Sequence, residues 1–244
     1  MPYTMAETMA AIEQLVKQRQ PALIITANLN YAMLCANSQE LRDLNQRAAF
    51  LLADGMPMVW WSRWIGRPLP ERVAGSDMMA HLASYGAARG WRFYLLGAGP
   101  GVAERAGKKL QEQYPGLVIC GTECPPFRTL TTEEIHFQRH RILAAKPDIL
   151  LVAFGQPKGE RWILQHMDEL QVPVSIQVGA TLDFVAGIVS RAPRWMQITG
   201  MEWLYRLLQE PKRLVRRYFD NIAFIVRAFF QPKYRAERMN QRPK

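Results

Sequence analysis

The chain has 244 residues, 49% of them apolar, and a formal net charge of +10. That size and apolar content exclude a disordered chain and suit one α/β domain with an appendage. Three cysteines, Cys35, Cys120 and Cys124, exclude a disulfide framework and fit a reducing compartment.

In chain order, residues 1–10 carry Glu7 and no basic stretch, so no secretion signal is expected. Six apolar runs bounded by turn residues follow as strand candidates: residues 22–26, 48–52, 92–96, 117–120, 148–154 and 174–178. The clearest, 93–96 and 149–154, are continuously apolar rather than alternating, as strands buried on both faces of a parallel sheet are. Helical segments at 102–114, 132–145 and 159–170 lie between them. The alternation predicts an open, mostly parallel α/β sheet covered by helices, Rossmann-like in outline, over residues 1–199. From Gly200 the texture changes: residues 202–210 and 212–230 read as helices separated by Pro211, and no strand candidate remains. Residues 200–244 are expected to form a basic, membrane-associating helical appendage, with the polar end after Pro232 lacking fixed structure. No run reaches the ~20 apolar residues that span a bilayer; residues 219–230 are broken by Asp220, Asn221 and Arg227. The chain is expected to be soluble or peripheral, and inside the cell.

Charge is uneven. Residues 203–244 hold eleven basic residues against three acids, eight of the ten net charges, so the body is near neutral. Such a segment suits an anionic lipid surface, nucleic acid or a phosphorylated ligand. Its apolar positions suit lipid or a homo-oligomer contact.

In open parallel sheets, ligands bind beyond the carboxyl ends of the strands, so the segments after the strand candidates are where chemistry is expected. Gly97-Ala98-Gly99-Pro100-Gly101 is either a tight strand-to-helix turn or a phosphate contact made by backbone amides at a helix start. Asp54 follows a buried run and is either a general base toward a hydroxyl or a helix cap. Arg72 is placed to bind phosphate or to pair with Glu71, and Asp183 to hold a ribose or close a local turn. No Asp-x-Asp pair is present to hold a divalent ion against a diphosphate. Arginines are the natural replacement, since a guanidinium matches phosphate bidentately; Arg206, Arg213 and Arg216 are the candidates. Cys120 and Cys124 lack further ligands to complete a zinc site. His136 and His140 are spaced i, i+4 without the acidic partner of a zinc protease, and no Gly-x-Ser-x-Gly elbow supports a serine triad.

Nine segments in register resemble the WecG/TagA/CpsF family of glycosyltransferases. They are Thr26-Ala27-Asn28, Asp54-Gly55, Glu71-Arg72-Val73-Ala74-Gly75-Ser76-Asp77, Phe93-Tyr94-Leu95-Leu96-Gly97, Tyr114-Pro115-Gly116-Leu117, Gly155-Gln156-Pro157-Lys158 with Glu160, residues 183–187, Arg191-Ala192-Pro193, and Glu202-Trp203-Leu204-Tyr205-Arg206. The resemblance implies an inverting, metal-free transfer, with no cofactor, from a UDP-sugar to a polyprenyl-diphosphate-linked saccharide in cell-surface polysaccharide synthesis. The sugar is ManNAc-, ManNAcA-, glucose- or glucuronate-like, and the site lies at the cytoplasmic face of the plasma membrane. The resemblance makes Asp54 the base. Thr26, Asn28 and Arg72 line its pocket, with Gly97, Gly99, Gln156 and Glu160 among the binding residues. It gives Asp183 to the nucleotide, and closes Arg206, Arg213 and Arg216 over the diphosphate. The sequence departs from the family pattern at Gly159, where that pattern has glutamine; Gln156 is the candidate to reach the same ligand.

Two rivals from other classes are weaker. A nicotinamide-dependent oxidoreductase would use the Gly97 turn, but Val102 stands where the third glycine of that fingerprint belongs. A nucleic-acid-binding module would use the basic tail, but no recognition motif accompanies it, so no nucleic-acid partner is expected.

Overall fold

A computed structural model describes residues 3–230. The basic residues Lys233, Arg235, Arg238, Arg242 and Lys244, and the end expected to lack fixed structure, lie outside the described residues. The chain runs α1 (Met5–Gln18), β1 (Ala22–Ala27), α2 (Leu29–Ala36), α3 (Gln39–Arg47), β2 (Phe50–Ala53), α4 (Met56–Trp64), α5 (Gly75–Arg89) and β3 (Arg92–Gly97). It continues with α6 (Val102–Gln113), β4 (Val118–Glu123), α7 (Thr132–Ala145), β5 (Ile149–Ala153), α8 (Lys158–Leu170) and β6 (Val174–Gln177). Four helices close it: α9 (Thr181–Ala186), α10 (Arg194–Ile198), α11 (Glu202–Gln209) and α12 (Pro211–Phe230).

The six expected strands form one sheet in the order β2-β1-β6-β5-β3-β4. Every pairing is parallel, not merely most of them. The continuous apolar runs have their reason in burial on both faces. Ile24, Phe93, Leu95, Ile149, Leu151 and Ile176 point to one face, where α1, α5, α6 and α9 supply Ile12, Met78, Leu82, Ala106 and Leu182. The residues between them, Leu23, Ile25, Tyr94, Leu96, Leu150 and Val152, meet Tyr31, Leu41, Ile142, Ile163 and Met167 on the other. Side chains alternate across a strand, so a strand covered twice is largely apolar; β6 keeps the buried polar residues Ser175 and Gln177.

Local chemistry sets the helix ends. Thr4 with Glu7, and Thr131 with Glu134, form capping boxes that start α1 and α7. Pro211 sits at the first position of α12, where its missing N–H costs nothing, so it starts that helix as well as separating it from α11. The second strand begins at Phe50, later than residue 48, because Ala48 is the C-cap of α3.

Two features of this layout position the site. Register places Ala27 beside Ala53, so the chain leaves β1 at Asn28 and β2 at Asp54 side by side, and the Asp54 N–H donates to the Ala27 carbonyl at 2.9 Å. The crossover from β2 to β3 passes over β1, β6 and β5, and carries Arg72 and Asp77 across the carboxyl edge. Among the described residues, no helix is long and apolar enough to cross a membrane.

Candidate active site

The carboxyl ends of β1, β5 and β6 are tied by a polar network. Asn28 caps α2, its Oδ1 accepting from the Tyr31 N–H at 3.1 Å, while its Nδ2 donates to Gln156 Oε1 at 2.7 Å. Gln156 Nε2 donates in turn to the Thr26 carbonyl at 2.8 Å and to Glu160 Oε1 at 2.9 Å. Thr26 is buried, and its hydroxyl donates to the Gln177 carbonyl at 2.9 Å. Four of the expected residues, Thr26, Asn28, Gln156 and Glu160, therefore meet. Both ends of the Gln156 amide are already occupied within the protein. Glu160 is fully buried with one carboxylate oxygen unpartnered, and burial pushes its carboxyl up to about 7.

Asp54 stands at the edge of this network with a different character. Helix α4 is capped by Gly55 and shows no side-chain cap bond, so the capping role open to Asp54 is not taken up. Burial pushes its carboxyl up to about 6; Arg72 and Arg206 pull it down, while Glu202 and Asp77 push it further up. A carboxylate raised toward neutrality and left without a hydrogen bond from the described residues is equipped to take a proton.

Arg72 does not pair with Glu71. Instead it joins a closed ring of alternating charge: Arg72 to Asp77 at 2.6 Å, Asp77 to Arg191 at 2.7 Å, Arg191 to Glu202 at 3.4 Å, and Glu202 back to Arg72 at 3.2 Å. Glu71 accepts from the Met5 N–H. The ring fastens the first residue of α11 to the α/β body, and it neutralises Arg72 and Arg191 with two acids.

The appendage arginines divide. Arg206 lies over the Phe184 ring at 5.5 Å, and its Nε is buried without a partner. Arg217 reaches Asn28 Oδ1 at 3.5 Å, and its Nε is likewise unpartnered. Burial and the nearby charges of Arg206 and Arg213 push the Arg217 guanidinium below its ordinary value. Arg213 is exposed and pairs with Glu210 at 2.8 Å, yet its charge still acts on Asp183. Arg216 points to solvent. Asp183 is half-buried and raised by that burial, against the pull of Arg213 and Arg206. Its turn is closed by its backbone carbonyl, which accepts from the Ile188 N–H at 3.0 Å.

The glycine turn is remote from this centre. Gly97 and Asp54 are four strand spacings apart, roughly 19 Å at the usual inter-strand distance. Gly97 has φ 103° and presses on Phe154, where a Cβ would come within 2.8 Å of the ring, so glycine is required by the turn itself. The Ala98 N–H donates to the Ala153 carbonyl and the Val102 N–H to the Gly99 carbonyl. Gly99 thus lies in the same turn, away from Asp54.

The model of the WecG/TagA/CpsF family of glycosyl transferases matches residues 1–238. The chain belongs to that family. A Bacillus subtilis (strain 168) N-acetylglucosaminyldiphosphoundecaprenol N-acetyl-beta-D-mannosaminyltransferase is 31% identical over 221 residues, covering 88% of this chain and 84% of the relative. A Staphylococcus aureus (strain MW2) protein of the same name is 31% identical over 193 residues, 79% of this chain and 74% of its own. The chain is a glycosyltransferase.

For a glycosyltransferase, the residues that the sequence reading passed over are Asp77, Arg191, Glu202, Arg217 and Gln177. The first three lay inside segments that carried the family resemblance but were not singled out. Arg217 is picked out by packing alone: Leu214, Asn221 and Ala228 are the buried positions of α12, and 217 falls on their face of the helix whereas 216 does not. Gln177 had no usable signal, being one polar residue at the end of an apolar strand.

Proposed function

We propose that this glycosyltransferase moves a sugar, with inversion, from a UDP-sugar to a polyprenyl-diphosphate-linked saccharide at the cytoplasmic face of the membrane. The observation that carries the reading is Asp54: a carboxylate at the end of β2, raised to about 6 by burial and facing Arg72 and Arg206. Asp54 accepts the proton of the acceptor hydroxyl as its oxygen bonds to the anomeric carbon. The bond from that carbon to the diphosphate oxygen breaks on the opposite side, and UDP leaves with the electron pair. Arg206 and Arg217 stabilise the growing charge, the kind of term that usually dominates catalysis. They suit this role better than Arg72, whose charge the ring already balances. The transfer needs no metal in this reading. Asp183 holds the nucleotide, and the relatives' names support an N-acetylmannosaminyl donor and an N-acetylglucosaminyl-diphosphate-lipid acceptor.

Residues 200–244 act as the membrane-docking part. On α12, Val215, Phe219, Ile222, Val226 and Phe230 are all exposed and recur at steps of three and four, forming one apolar face beside basic residues. Each basic residue near an anionic leaflet adds roughly 1 kcal/mol, enough in number for reversible binding.

The deciding experiment is a transfer assay with a short-chain polyprenyl-diphosphate-GlcNAc acceptor and a panel of UDP-sugars, with and without EDTA. Product from UDP-ManNAc that is insensitive to EDTA is the expected result. Failure to bind any UDP-sugar overturns the reading.

A further inference from the structure

Helix α8 carries glycine at its second residue, Gly159, and the space beside that glycine belongs to Gln177 from β6. A Cβ at residue 159 would overlap Gln177 Cγ, and would stand 3.2 Å from Cδ and 3.4 Å from Nε2. Gly159 has no left-handed φ, so its backbone suits any residue; Gln177 alone demands glycine there. Gln177 is fully buried, and its Oε1 accepts from the Gly179 N–H in the turn that leads to α9 and Asp183. Its Nε2 is left without a partner. A buried amide with unmatched hydrogens is unfavourable, so an apolar residue would serve this strand end better unless a bound group completes the pairing. Gln177 is the last residue of β6, in register with Ile25 and Val152, and its carbonyl accepts from Thr26. It therefore lies among the residues that tie the carboxyl ends of β1, β5 and β6.

We propose that Gln177 and Gly159 form a coupled pair that sets donor specificity. The Gln177 amide shapes the floor of the donor site from β6, in the volume that a side chain at 159 would fill from α8. Glutamine at one position requires glycine at the other. Gln156 cannot substitute, since both ends of its amide are engaged with Asn28, Thr26 and Glu160. The inference rests on the glycosyltransferase reading given above.

The test compares wild type with Gln177→Met, which keeps the volume and loses the amide, with Gly159→Gln, and with Gly159→Gln/Gln177→Gly, which moves the glutamine from strand to helix. Melting temperature and steady-state kinetics with the best UDP-sugar are measured for each. Gln177→Met is expected to raise the donor KM about tenfold, the effect of one lost hydrogen bond, while kcat stays within threefold. Gly159→Gln alone is expected to melt several degrees lower and to lose donor binding. The relocated double variant is expected to recover the wild-type melting temperature and a donor KM within threefold. An unchanged donor KM in Gln177→Met overturns the proposal, and so does a double variant no better than Gly159→Gln. A wild type that transfers from no UDP-sugar instead defeats the functional reading beneath it.

Discussion

In the α/β body both faces of the sheet are closed by helices, and β5 and β6 are buried along their whole length, whereas α12 leaves Val215, Phe219, Ile222, Val226 and Phe230 at least half exposed. Charge differs in the same way. Arg72 and Arg191 in the body each meet two acids, though one buried Arg191 nitrogen is left over, while Arg206 and Arg217 of the appendage each keep a buried Nε without a partner. Unpartnered buried polar atoms occur in both regions, Glu160 and Gln177 among them in the body, so the open apolar face of α12 is what separates the two. Apolar groups left in water and donors left unpaired are both unfavourable in isolation. Both occur together in the segment beside Asn28 and Phe184, where ligand and membrane are proposed to act.

The comparison breaks first at Asp54. If the body supplies the base, Asp54→Asn lowers kcat by about a thousandfold, within the range for general-base catalysis, and leaves the fold intact. In wild type, kcat/KM falls about tenfold per pH unit below about 6, because the carboxylate must be ionised to take the proton. A pH profile with no break near 6 removes the assignment.

If the appendage supplies the charge for the leaving group, Arg217→Ala lowers kcat roughly a hundredfold while Arg216→Ala changes it less than threefold. Equal losses in the two variants would erase the distinction between the inward and outward arginines. Membrane docking gives a smaller effect: Phe219→Glu weakens binding to anionic vesicles about tenfold, with transfer to a detergent-solubilised acceptor unchanged. Vesicle flotation measures the first and product formation the second.

Stability offers the smallest signal and concerns the body alone. Glu160 is raised by burial to about 7 from an ordinary 4.5, so the folded chain holds a proton that the unfolded chain has released. Stability from this group is full below 4.5 and falls as pH rises through 7; Asp54 adds the same sign between 3.8 and about 6. Glu160→Gln should flatten the upper part of that slope and melt a few degrees higher at pH 8. A thermal-melt series from pH 5 to 8 checks it.

Much of this was legible in the chain. The run Ile149-Leu150-Leu151-Val152-Ala153 could be read as a doubly covered strand because burial on both faces favours apolar side chains at every position. Asp54 and Asp183 stood out as acids just beyond such strands. The inward arginine was harder: Arg216 and Arg217 are chemically equal neighbours, and only the packing of Leu214, Asn221 and Ala228 chooses between them. Gln156 was expected to face ligand, and the structure instead engages its amide with Asn28, Thr26 and Glu160.

By itself the sequence determined the six strands, the helices at 102–114, 132–145 and 159–170 and the set of polar residues at the strand ends, since all of these follow from local pattern and turn chemistry. The tertiary structure decided which of those residues share a site. The ring of Arg72, Asp77, Arg191 and Glu202 joins residues up to 130 positions apart, and the Gly159–Gln177 contact depends on how α8 lies against β6. Such pairings are set by strand order and helix packing, and strand order leaves no periodic trace in the chain.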